Sequence, residues 1–471
     1  MRPPVRSKKM AILATRPRQG VTAGQGLQKM VRIGLMTSPK SLLHRRELMA
    51  GLGAAALLPI WPAIGSAQGR AALALQAKAD AVALRPGAPE TPVWSLAGSE
   101  MRFKRGDTVE VTLANELPQP VALNWRGLDG AASVESLTAR APLAAGVKET
   151  LQLPLRHAGT LLCDLTLLGD GQARPSRARA LVVRESETVA VDRDEVFLVE
   201  DWRLRPDGSA IAPGLDPKDA ATVLTANGRL SLDITVRTNE RIRIRFINGC
   251  QRSVIAAKIE NIDVRVMAID GQPSEPFQAR NGALVLPPGG RVDGFIDVTA
   301  PAGTTATILV HDGKEARPIG RLIVSGDPPV RAAPLSPAPP LPSNGLPARL
   351  DLKGATRAEL ALGGPQGDWV PPASFAATAA PAVRTKAGRT VVLALNNRGA
   401  TPTVFHLHGH HFRLLDRLDD GWKPFWLDTL AIEPGQTQRI AFAAEYAGRW
   451  LIESVATDWA APRLVRWYSV E

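Results

Sequence analysis

Polar and apolar residues alternate along short stretches over most of the chain. "DTVEVTLAN" (107–115), "ARALVVRES" (178–186) and "RIRIRFI" (241–247) repeat with a period of two, the spacing of a strand with one buried face. In the last, Ile242, Ile244 and Phe246 are predicted to face a core, and Arg241, Arg243 and Arg245 a solvated face. Frequent Gly (41) and Pro (39) break these runs into short strands joined by tight turns, which predicts an all-β protein. The strands fall into three blocks, 68–187, 188–326 and 350–471, each of about 120 residues, the size of a β-sandwich domain. Between the last two, residues 327–349 lie in a Pro-rich run, "GDPPVRAAPLSPAPPLPSNGL", read as an extended linker far from the histidines. No sequence repeat, coiled coil or nucleotide-binding loop is visible, and "GLGAAA" at Gly51 lies too near the start to be a dinucleotide fingerprint.

The net charge of +12 would suggest nucleic acid or anionic lipid as a partner, but it is unevenly spread. Residues 1–67 hold eleven Lys/Arg against one acid, and the rest of the chain 46 against 44, so no nucleic-acid partner is expected. Paired Arg45 and Arg46, a modest apolar run and "GSA" before a cleavage point after Ala67 resemble a twin-arginine export signal. That resemblance implies a periplasmic protein exported already folded, with no stable membrane insertion once the leader is removed. Pro59 and Pro62 interrupt the apolar run, which counts against a membrane anchor. Met36 is an alternative start, and the Arg-rich residues before it could otherwise be read as an organellar transit peptide. Cys163 and Cys250 are too few for a disulfide framework and read as small buried hydrophobes.

The candidate chemistry centres on "FHLHGHHF" (405–412), which holds four of the chain's seven histidines. On a strand, His406, His408 and His410 share one face while Phe405 and Leu407 turn to the core. Successive same-face residues sit about 7 Å apart, so further metal ligands must come from elsewhere in the fold. His410 reads as an extension of the polar face, and His411 as turned to the other side. His157 and His311 stand alone beside turns and read as surface loop residues.

Together with "FKRGDTVEVTLANEL", "IRIRFING", "MAIDGQP", "LPPGGRVDGFIDV" and "DTLAIEPGQTQRIAFAAEYAGRW", the histidine stretch makes residues 90–471 resemble a three-domain, laccase-like multicopper oxidase. The resemblance implies three consecutive cupredoxin-like Greek-key β-sandwich domains. It also implies a blue copper that passes electrons to a three-copper cluster reducing oxygen to water. The ligand stretches depart from that pattern. "ALNWRGLDG" puts Asn124 and Arg126 where "His-Trp-His-Gly" has imidazoles, and "GTLLCDLT" puts Asp164 and Thr166 at the next two. "TVFHLH" keeps His406 and His408 but has Thr403 at the blue-copper position. In "IESVATDWAAPRL", Glu453, Ser454 and Val455 replace "His-Cys-His", Trp459 a further histidine, and Leu464 the axial residue. Two of eight cluster ligands remain and no blue-copper ligand does, so laccase-type electron transfer is not expected and no cofactor is the first reading.

If the sandwiches bring these positions together, Arg126 can bridge Asp164 and Glu453 in place of the metals, with Asn124, Thr166 and Val455 filling the remaining cluster positions. Alternatively His406, His408, Asp164 and Glu453 form a remodelled site for copper or another divalent transition metal, which Arg126 opposes by its charge. Trp422, Trp426, Trp450 and Trp459 are expected around the blue-copper positions. Three functions follow. The first is an exported structural or interaction protein with an unidentified periplasmic protein partner, similar to the copper-free SufI-type proteins of this fold. The second is a metal-dependent oxidoreductase with a remodelled centre, and the third a periplasmic metal carrier using His406, His408, His410 and His411 as an exposed clip.

Overall fold

The structure, a computed structural model, describes residues 71–363, 368–415 and 423–471. Arg45, Arg46 and the rest of the 1–67 leader lie outside these residues, as does Trp422. The described residues are all-β, with six sheets arranged as three cupredoxin-like sandwiches. Each sandwich has its own apolar core, built from the inward-facing half of the alternating strands. Val109, Val111 and Leu113 of "DTVEVTLAN" belong to the first core, and Ile242, Ile244 and Phe246 to the second. Phe405 and Leu407, which flank His406, belong to the third.

A threefold repeat that the residues do not reveal is plain in the strand pairing. The first strand of each sandwich pairs in parallel with a later one: Ala72–Val82 with Thr108–Asn115, Arg193–Leu204 with Arg241–Asn248, and Thr356–Leu362 with Thr390–Asn397. The facing sheets repeat the device with Met101–Lys104 and Arg179–Arg184, Leu232–Val236 and Ala316–Val324, and Arg384–Thr385 and Arg463–Val470. Parallel neighbours cannot be joined by a tight hairpin, so the chain crosses between sheets, as a Greek key requires.

The arginine face of Arg241–Asn248 is not solvated. Arg241, Arg243 and Arg245 are 2% exposed or less. Arg243 donates to Asp293 (2.5 Å) and Glu185 (2.9 Å). Arg245 donates to Asp194 (2.6 Å), Asp293 (2.9 Å) and the Thr160 hydroxyl (2.7 Å). Arg241 reaches Asp297 and the carbonyls of Leu335 and Ser336. Alternation says which residues share a face; it is silent on whether another layer covers that face. Here the first sandwich and the Pro-rich segment both do.

That segment also departs from expectation. It has no regular secondary structure, but Ala338 and Leu341 are buried against Met267, Ala268 and Phe295. Nor is it far from the histidines, because Asn344 donates to Gln272 Oε1 (3.0 Å) and Gln272 Nε2 stands 3.3 Å from His157 Nδ1. The first and second sandwiches meet backbone to backbone at Gly159, where a Cβ would lie 2.2 Å from the Gly271 carbonyl oxygen.

Asp293 neutralises two buried guanidiniums and also accepts from Thr160, so its loss strands charge in the interior. Asp293→Leu is expected to cost about 3–5 kcal/mol of stability, read as an earlier urea midpoint.

Candidate functional site

Strand register assembles the site. In the third sandwich Thr403–Leu407 pairs with Gly448–Ala456 so that His406 faces Glu453, and in the first Asn124 faces Asp164. The two strand pairs meet across the seam between these sandwiches, where Ala122 and Leu167 pack on Leu451, Val465 and Trp467. All eight cluster positions therefore meet.

Glu453, fully buried, is the hub. It accepts from Arg126 Nη2 (2.9 Å to Oε1), Asn124 Nδ2 (3.3 Å) and His408 Nε2 (3.0 Å), and pairs with Arg463. Arg126 Nε lies 3.5 Å from Asp164 Oδ2, and Asp164 Oδ1 accepts from the amide and hydroxyl of Thr166. The ring of His408 is held between two carboxylates, since its Nδ1 lies 2.7 Å from Glu135 Oε1. Burial favours a neutral ring, but Glu135 and Glu453 outweigh it and carry His408 up to about 9. Burial likewise works against charge on Glu453, and Arg126, Arg463 and His408 together hold it well below the usual carboxylate range. His406 has no such support: burial, then the Arg126 charge, push it well below 6.5.

Arg463 and Glu135 escaped the sequence reading. Arg463 pairs across the strands with Val455, two residues from Glu453 on the same face, so the register would have pointed to it. Glu135 follows the short turn Ala132–Val134 and has no comparable signal.

His406 is held by its other nitrogen: Nδ1 donates to Thr429 Oγ1 (2.9 Å) and the Asp428 carbonyl (3.2 Å). Its Nε2 has no hydrogen-bond partner among the described residues, and neither does Asn124 Oδ1. His406, Arg126, Asp164, Thr166, Val455 and Arg463 line a cavity of about 20 Å³, room for one water.

Of the blue-copper positions, Thr403, Ser454 and Leu464 stay near one another on adjacent strands but carry no copper donor, and Trp459 turns away. Thr403 donates to Asn397 Oδ1 (3.2 Å), Ser454 faces Leu464 across the strands, and Trp459 turns to the second sandwich, donating to the Ala212 carbonyl. Of the tryptophans expected there, those among the described residues have other partners. Trp426 packs with Leu350 and Val392, and Trp450 against His410.

The other histidines also correct the sequence reading. His406 and His408 stay together, with ring centroids 4.7 Å apart, but His410 leaves their face. Gly409 between them has φ +73°, and a Cβ there would overlap Trp450, so the strand ends and the chain turns. His410 then sits among Phe442, Tyr446, Trp450 and Tyr468, donating to Tyr468 Oη (2.8 Å), and burial lowers it to about 4. His411 meets Asp129 (2.8 Å), as does His157 (2.9 Å), which is half-buried and not a free surface loop residue. His311 is exposed, as expected. All four histidines of 405–412 are at most 4% exposed, so they form no exposed clip.

Three multicopper oxidase family models match the chain, at residues 91–163, 192–309 and 349–471. The chain belongs to the multicopper oxidase family. It is 22% identical over 417 residues to the multicopper oxidase MmcO of Mycobacterium tuberculosis, covering 76% of this chain and 78% of that protein. The structure superposes on a multi-copper oxidase from Pseudomonas thermotolerans with TM-score 0.74 at 22% identity, covering 85% of this chain and 99% of the other. Lac15 from a marine microbial metagenome gives TM-score 0.68 at 24% identity, covering 85% and 100%.

In this family member the donors do not fit the family's coppers. The donor atoms of His406, His408 and Glu453 lie within 4.8 Å of one another, but only His406 Nε2 is free. Three cations (Arg126, Arg463, His408) already face three carboxylates (Glu453, Asp164, Glu135), so these oxygens are engaged and the tethered cations stand where copper ions would sit. No thiolate or imidazole stands at the blue-copper positions.

The raised His408 sets a pH dependence. A pKa lifted from 6.5 to about 9 stabilises fully below pH 6.5, and the gain is lost as pH climbs towards 9. The stability advantage of the protein over its His408→Gln variant should therefore shrink by on the order of 3 kcal/mol across that window, measured by thermal unfolding.

Proposed function

We propose that this multicopper-oxidase-fold protein does not carry out laccase-type electron transfer and works as an exported structural or interaction protein of the periplasm. The observation that carries this reading is Glu453, fully buried and held by Arg126, Arg463, Asn124 and His408 where the cluster ligands would converge. A guanidinium is a fixed cation that cannot accept electrons or bind oxygen, so the arrangement supports a structural role for this seam. The side chains at Thr403, Ser454, Trp459 and Leu464 support the same reading, because no thiolate or imidazole remains there to receive an electron from substrate.

Export is proposed from the twin-arginine signal at Arg45 and Arg46. No helix among the described residues is long and apolar enough to cross a membrane. With the redox positions given over to ion pairs, recognition falls to the outer surfaces of the sandwiches, and the partner is proposed to be another periplasmic protein.

Copper-loaded protein supplied with a phenol should neither consume oxygen nor show the visible band of a blue copper. Turnover would establish the oxidoreductase reading instead. Arg126→Leu should destabilise the protein by about 3–5 kcal/mol, because Glu453 and Asp164 lose a shared cation; an unchanged melting temperature would refute the clamp.

A further inference from the structure

Asp129, His157 and His411 form a second cluster, distinct from the one around Glu453. Asp129 lies in the loop after Asn124–Arg126, His157 in the loop before Gly159–Asp164, and His411 in the turn after Thr403–Leu407. Both imidazoles present the same nitrogen, Nδ1, to the same atom, Asp129 Oδ2, at 2.8 Å for His411 and 2.9 Å for His157. The side chains are 0–9% exposed, with His157 at the rim.

We propose that these three side chains form a binding site for one divalent transition ion of the zinc type, tying the first sandwich to the third. The donor set is two imidazole nitrogens and one carboxylate oxygen, which suits Zn²⁺ with a fourth position left for water. His411 is already oriented for it: Nε2–H donates to the Asp270 carbonyl (2.8 Å), which fixes the ring and leaves Nδ1 facing the site. Asp428 Oδ2, 3.7 Å from His411 Nε2, adds negative charge behind that ring. His157 at the rim offers the ion a way in, a condition any such site must meet.

Two features shape the expected strength. The donor atoms now sit at hydrogen-bond separations. Around an ion with tetrahedral bonds of roughly 2.1 Å they would have to move apart by about half an ångström. Gln272 Nε2 lies 3.3 Å from His157 Nδ1 and 3.4 Å from His411 Nδ1, and Asn344 holds the amide in that orientation, so Gln272 is a wall of the site and not a ligand. The ion would thus take the place of the close contacts to Asp129 Oδ2; it does not fill an open cavity. Binding in the micromolar range is the consequence, weaker than a closed four-ligand structural site.

The test is calorimetric titration of the full chain, stripped with chelator and then given Zn²⁺, with thermal unfolding followed in parallel. One equivalent should bind and raise the melting temperature. His157→Gln, a rim substitution, should weaken binding by more than the ~10–100-fold typical of losing an outer partner, with each protein compared against its own metal-free melting temperature. His406→Gln should leave binding unaltered. Co²⁺ in place of Zn²⁺ gives a second readout, since a visible ligand-field spectrum should appear in the protein and vanish in Asp129→Asn. Absence of zinc binding, binding indifferent to His157→Gln, or binding abolished by His406→Gln would each overturn the proposal. The last result would place the ion in the Glu453 cluster and so also count against the copper-free reading, whereas the first two leave that reading intact.

Discussion

A carboxylate removed from water must be neutralised where it stands, and Glu453 imposes that condition on the centre of this molecule. It is fully buried at the seam of the first and third sandwiches, so its charge is tolerable only because donors converge on it from both. Arg126 and Asn124 come from one sandwich, Arg463 and His408 from the other. The pair of sandwiches is thereby tied by the requirement of a single anion. The unusual states of its neighbours follow. His408 stays charged because it lies between Glu453 and Glu135, while His406, close to Arg126 and bonded through Nδ1 to neutral acceptors, stays neutral.

The same logic runs on into the second sandwich. Arg291, fully buried, pairs with Asp428 and donates to the Asp270 and Thr160 carbonyls. Asp428 in turn lies beside His406 and His411. Burial first, then repulsion from Asp428, lifts Asp270 to about 6, while Asp428 is drawn far down, chiefly by Arg291 against the effect of burial. Charged groups from all three sandwiches thus form one connected interior network. Networks of this kind are costly to break at any one point and specify a single docking arrangement better than apolar packing alone.

How much of this the residues reveal depends on range. Strand periodicity is local, so the all-β fold, the core faces of Ile242 and Phe405 and the burial of Cys163 were all readable. Motif spacing within the family pattern named the cluster positions, and geometry does bring them together. What could not be read was the far side of each strand. Arg241, Arg243 and Arg245 look solvated by alternation and are buried only because another sandwich and the Pro-rich segment cover them. His157 and His411 are more than two hundred residues apart, and their meeting on Asp129 is a property of docking, invisible to any window along the chain. Gly409 was the one local clue that His410 would leave the face of His406, because its positive φ ends the strand there.

The two clusters at these interfaces solve the same electrostatic problem by opposite means. At Glu453 the neutralising cations are tethered arginines, so the stability of that seam is independent of any free concentration. At Asp129 the partners are the Nδ1 atoms of two imidazoles, and the proposed ion would stand between the same groups. Binding there adds stability as RT ln(1 + [L]/Kd), which grows only with the supply of ion. If the proposed ion binds, a main seam locked by the protein's own residues would be joined by a secondary tie that responds to the surroundings. Copper at the Glu453 positions would have the reverse consequence, since a seam of imidazoles without ions is under-held until the metals arrive. The exchange of Arg126 for an imidazole is therefore a change in what the fold depends on as much as a change in chemistry.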